Sequence, residues 1–173
     1  MVTPHRSNFT LQCVLFASMC YTVLSLFGRT SHGQLTVINS PPTNIARNQS
    51  IGSDTQLNVF DDGFVGSNFR ANAGSQVTIA GGTVGDEFNA NADSRVIISD
   101  GSMGDRFDAD RGSEVSISGG EFRLDGVLLE GLETVGTTLP LDIPAGALLS
   151  GVLADGTPFA FSSRDSDDFS QEL

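Results

Sequence analysis

The sequence predicts an all-β protein, a single-stranded parallel β-helix (β-solenoid) of about four coils closed by a C-terminal β cap. Three observations carry this reading. First, the chain repeats itself every 19 residues: Ser75, Ser94 and Ser113 fall in register, followed by Val77, Val96 and Val115, then by Ile79, Ile98 and Ile117. Second, apolar residues alternate within each unit, Val77 with Ile79 and Phe88 with Ala90, which is the period of half-buried strands; helical spacing is absent. Third, glycine recurs where strands must turn, as Gly63, Gly82, Gly101 and Gly120, and again as Gly66, Gly85 and Gly104.

Taken in chain order, residues 1–33 read as an export signal. His5 and Arg6 give a basic start, Cys13 to Phe27 an apolar core, and Ser31-His32-Gly33 a small-x-small cleavage pattern. An uncleaved membrane anchor is the competing reading, since the apolar run approaches the ~20 residues a span needs. Residues 34–54 read as a lead-in, a short apolar strand and a Pro41-Pro42 turn that cover the lower edge. Residues 55–126 hold the repeats. Their unit places Val77, Ile79, Val84 and Phe88 of one coil over Val96, Ile98, Met103 and Phe107 of the next, then Val115 and Ile117. One such unit cannot bury enough apolar surface to offset the entropy of ordering it, so stacking is required. Asn72, Asn91 and Asp110 fall in register as a side-chain ladder. Residues 127–163 resume alternation at Leu139, Leu141 and Ile143, and Asp155-Gly156 between two apolar runs reads as a hairpin, so this segment is the expected cap. Residues 164–173 form an acidic tail expected to fray.

Composition narrows the chemistry. Both cysteines (Cys13, Cys20), both histidines (His5, His32) and the single tyrosine (Tyr21) lie in the leader, and the chain has no Trp and no Lys. A chain cleaved after Gly33 therefore offers no thiol, no imidazole and no disulfide. Without Arg6 and Arg29 it carries 7 Arg against 21 acids, a formal charge of −14. Nucleic acid and anionic membranes are disfavoured partners on that balance, whereas cations, basic surfaces and neutral glycans suit it.

The acidic corner residues Asp86, Glu87, Asp100, Asp105, Asp108 and Asp110 invite a chemical role. GGTVGDEF and DGSMGDRF resemble the calcium-binding nonapeptide of RTX β-rolls, although Val84 and Met103 stand where that motif has glycine. Asp86 and Asp105, one coil apart, are the calcium candidates; a solvated acidic corner is the competing reading. Paired carboxylates can also act as acid and base without histidine, which leaves a carbohydrate-active lyase or hydrolase as a further alternative. No catalytic or cofactor-binding residue stands out. Asn48-Gln49-Ser50 is a glycosylation sequon.

With Gly74-Ser75, Gly85-Asp86, Gly112-Ser113 and Ser118-Gly119-Gly120 in view, the chain resembles a group of exported bacterial proteins that carry tandem GSxVxISGGxVGDxFxA units. The likeness spans residues 34–162, including ALLSGVLADGTPFAF. More loosely, the 19-residue coil is similar to the β-helical shafts of filamentous adhesins and haemagglutinins, and that likeness implies a right-handed helix. Neither brings an activity. The expectation is a secreted or cell-surface, non-enzymatic structural or adhesive solenoid with a surface protein or glycan as partner; a calcium-stabilised solenoid and a carbohydrate-active enzyme are the alternatives.

Overall fold

A computed structural model describes residues 8–13, 34–110, 112–132, 136–141, 143, 147–165 and 168–171, and the described residues contain strands and turns but no helix. The leader, apart from Asn8–Cys13, lies outside them. The strands in order are β1 (Asn8–Cys13), β2 (Thr36–Ser40), β3 (Ser50–Ile51), β4 (Thr55–Val59), β5 (Phe64–Val65), β6 (Arg70–Ala71), β7 (Gln76–Val84) and β8 (Phe88–Ala90). They continue as β9 (Arg95–Met103), β10 (Phe107–Ala109), β11 (Glu114–Leu124), β12 (Val127–Leu128), β13 (Thr138–Leu141), β14 (Leu148–Leu153), β15 (Pro158–Asp165) and β16 (Asp168–Gln171).

The chain forms the β-solenoid that the repeat predicts. Strands β2, β4, β7, β9 and β11 stack in parallel as one wall, and β3, β6, β8 and β10 stack in parallel as a second. The register follows the repeat: Val77 lies opposite Val96 and Val96 opposite Val115, while Ile79, Ile98 and Ile117 form the neighbouring row. The first full coil is one residue longer, for Leu57 pairs with Val77 but Val65 pairs with Val84, and the extra residue sits in the turn Phe60–Gly63.

All ten core positions taken from the repeat are buried. Phe69, Phe88 and Phe107 stack with ring centroids 5.4 Å apart at each step, and Phe161 from β15 adds a fourth ring 5.2 Å beyond Phe107. This spacing is slightly wider than the ~4.8 Å between strands, because tilted rings in successive layers pack by offset.

Two features differ from strands that end at each glycine turn and a lead-in that merely covers the lower edge. Gly81 and Gly82 adopt positive φ inside β7, so the chain bends there without ending its pairing with β9. The lead-in forms a coil of its own: β2 pairs with β4, β3 with β6 and Ile45 with Val65, and among the described residues the lower edge of β2 has no strand partner.

The upper end is covered by a different device. β14 runs antiparallel to the second half of β11 and turns through Asp155-Gly156 into β15, which pairs with β16, so that part of the acidic tail forms a strand. β1 lies parallel to Glu114–Gly119 on the first half of β11 and antiparallel to β13.

Candidate functional site

Polar chemistry is concentrated at the corners, where the chain turns and side chains leave the core. At the corner after Val84 the backbone adopts positive φ at Asn48, Asn68, Glu87 and Arg106, one residue per coil. Asn is among the non-glycine residues most tolerant of this conformation, which accounts for the first two. Asn68 Nδ2 donates to Asn48 Oδ1 at 2.8 Å, so the sequon asparagine is the foot of a short ladder. Glu87 and Arg106 form an ion pair across adjacent coils with both side chains about half exposed. An ion pair so exposed adds little stability.

Asp86 and Asp105 occupy this corner. The Asp105 backbone N–H donates to Asp86 Oδ1 at 3.1 Å, which gives the Asp86 carboxylate a structural task between coils. Among the described residues no three His, Cys, Asp or Glu side chains gather closely enough to hold a metal ion.

The corner formed by the turns before β4, β7, β9 and β11 lines a shallow groove of about 700 Å³. Ser53, Gly74, Asp93 and Gly112 contribute one position per coil, and Arg95 and Glu114 flank it. Arg95 Nη2 lies 3.5 Å from Glu114 Oε1. Beside the groove the first rung of the predicted ladder is present, with Asn91 Nδ2 donating to Asn72 Oδ1 at 2.7 Å. Ser75 and Ser113 Oγ donate to the carbonyls of Asn72 and Asp110, whereas the equivalent Ser94 Oγ is buried and unpartnered.

The most perturbed carboxyl lies on the third corner. Ser99 bulges between β7 and β9, and its carbonyl accepts the Ala154 N–H at 3.0 Å, which lands the cap hairpin on this coil. Asp155 then meets Asp100. Asp155 is held in place by the Thr157 N–H at 2.8 Å and the Thr157 hydroxyl at 2.5 Å, and Asp100 Oδ1 accepts the Gly101 N–H at 2.5 Å. Desolvation, a hydrogen bond to Asp155 and repulsion from Asp155 and Asp61 push Asp100 from 3.8 up to about 6, against the lowering effect of the Gly101 N–H. Asp155 moves the other way: desolvation opposes it, but hydrogen bonds from Thr157 and Asp100 hold it below its ordinary value. Each carboxyl shifts the other, so the titration belongs to the pair. Carboxyls in hydrogen-bond contact are closer than the ~5 Å or more at which a glycosidic bond is cleaved between them.

The sequence singled out Asp100 but not its pairing. Asp155 was legible only as a turn residue, and the one hint was that both aspartates precede glycine. No protein family, curated protein or solved structure matched the chain in comparisons of its sequence and fold.

Proposed function

We propose that the chain is an exported structural or adhesive protein whose working part is the outer surface of the solenoid. The observation that carries this reading is the groove along the stacked turns: Ser53, Gly74, Asp93 and Gly112 offer one polar or backbone contact per coil, at the ~4.8 Å interval of the strands. A surface with that repeat suits an extended partner, a glycan strand or a segment of a surface protein, held by several weak contacts. The leader pattern in residues 1–33 supports export, and the interior stack supplies the rigidity a display element needs. No helix among the described residues is long and apolar enough to cross a membrane.

Fractionation of cells and medium, with the intact mass of the recovered chain, tests the reading. The expected result is protein in the medium or on the cell surface with Gln34 as its first residue; full-length chain confined to the cytoplasm would contradict it. Binding of Arg95→Glu to surface glycans or surface protein should fall relative to the parent if the groove is the contact. For the calcium-stabilised alternative, the groups present are Asp86 and Asp105, and a thermal midpoint that rises with millimolar calcium and falls again with chelator is the result that would favour it over the present reading.

A further inference from the structure

The cap strand β13 is tied to the solenoid through the leader. Among the described residues β13 pairs only with β1, and β1 pairs with β11, so the order across this part of the upper end is β11-β1-β13. The upper edge of β11 is divided between two partners: β14 pairs with it over residues 119–124, β1 over residues 114–119.

The register of the inserted strand is selective. Phe9 stands opposite Val115 on one side and Leu141 on the other, and Leu11 stands opposite Ile117 and Leu139. Thr10 falls between Ser116 and Pro140, and Gln12 between Ser118 and Thr138. Val115 and Ile117 are fully buried, and Leu139 and Leu141 are half-buried against the same core. A slip of one residue would put Thr10 and Gln12 into the two apolar rows, so the flanking strands specify an alternating guest. Asn8–Cys13 nevertheless belongs to residues 1–33, the segment that the sequence marks for removal. Its departure would leave β11 and β13 two strand spacings apart, about 10 Å, each with the N–H and C=O groups that it now pairs with β1.

We propose that the space between β11 and β13 is a binding slot for one extended strand. The leader fills it in the uncleaved chain, and removal of the leader opens it to a segment of a partner protein with apolar residues at alternate positions, as in Phe9 and Leu11. Main-chain hydrogen bonds on both sides supply affinity for an extended segment, and the two apolar rows choose among such segments. Direction is fixed as well, because the guest runs parallel to β11 and antiparallel to β13. The slot lies at the upper end of the stack, apart from the polar groove along the turns. Its opening to a partner rests on the export reading; its occupation by the leader does not.

The probe is a synthetic peptide of residues 7–14 carrying Cys13→Ser. The full chain should not bind it, because its own strand holds the slot. The full chain with Phe9→Asp and Leu11→Asp should release that strand, lose amide protection over residues 114–118 and in Thr138–Leu141, and regain it with one peptide bound per chain. The chain beginning at Gln34 should bind the same peptide, and a peptide carrying Phe9→Asp and Leu11→Asp should bind neither. If the full-chain variant fails to fold, hydrogen exchange on the parent still decides: Asn8–Cys13 and Thr138–Leu141 should be protected together. A parent in which residues 8–13 exchange as freely as an unstructured peptide would overturn the proposal. So would a folded variant that keeps its β13 protection with no peptide added, or a folded chain beginning at Gln34 that binds none. Full-length chain found only in the cytoplasm would end the export reading and leave each of these outcomes unchanged.

Discussion

At Gly82 the solenoid turns with φ of +72°, and a Cβ there would stand 2.5 Å from the Gly63 carbonyl oxygen and 2.6 Å from that of Phe60. Both the conformation and the space are glycine's, so Gly82→Ala should cost about 3 kcal/mol or more in chemical denaturation. The Asp100–Asp155 pair gives a residue-scale result of another kind. The folded pKa of Asp100 is raised, to about 6 from 3.8, so its stabilising contribution is complete below 3.8 and is lost as pH rises through about 6. Asp155 is lowered, so its contribution is present above the ordinary aspartate value and is lost as pH falls through its folded value. The parent should therefore lose thermal stability between pH 4 and pH 6 relative to Asp100→Asn, whose amide keeps a donor toward Asp155 at every pH. Parallel pH profiles for the two proteins would show that the two carboxyls do not shift each other. Asp61 is a further acid facing Asp100, and Asp61→Asn should shift the decline to lower pH by removing part of the repulsion.

Among the elements, the hairpin β14–β15 depends on one ring. Phe161 is buried against Phe107 and Phe159, so Phe161→Ala should cost about 3 to 5 kcal/mol and speed hydrogen exchange at Leu148–Val152, which β15 pairs. Unchanged exchange in β14 would mean that the cap is held by other contacts. The hairpin was legible in the sequence because Asp-Gly between alternating apolar runs names its turn directly. The rows of valine, isoleucine and phenylalanine were legible for a stronger reason: each inward residue recurs after 19 positions, so an error at one coil is corrected by the next. What escaped was whatever lies outside the repeat. Gly81 and Gly82 looked like strand ends, but positive φ at a glycine turns the chain while its neighbours keep their interlayer hydrogen bonds. Asp155 sits 55 residues from Asp100 in the chain and reaches it only because Ser99 bulges, a departure from the repeat that the sequence does not mark. Residues of the lead-in gave a strand and a turn, yet not a coil of their own, since that depends on β2 and β3 finding β4 and β6 one coil higher.

For the whole molecule, the physics is that of a one-dimensional stack, in which each coil gains most of its burial from the coils above and below. Removal of Phe88, at the centre of the Phe column, should therefore weaken more than its own layer: Phe88→Ala is expected to cost about 3 to 5 kcal/mol and to lower protection in β6 and β10 as well as β8. The polar exterior, carried by corners that the stack holds at fixed spacing, then becomes a rigid surface independent of any one side chain. The most direct test of the stack is a pair of engineered cysteines in a chain carrying Cys13→Ser and Cys20→Ser. Thr78 and Ile97 are register partners on adjacent coils, 19 residues apart, within the Cα separation a disulfide can bridge. Thr78→Cys with Ile97→Cys should cross-link on mild oxidation and raise the thermal midpoint, whereas Thr78→Cys with Asn89→Cys, nearer in sequence but on the other wall, should not. Cross-linking of the second pair in place of the first would show that segments 19 residues apart do not lie over one another, and the solenoid would have to be given up.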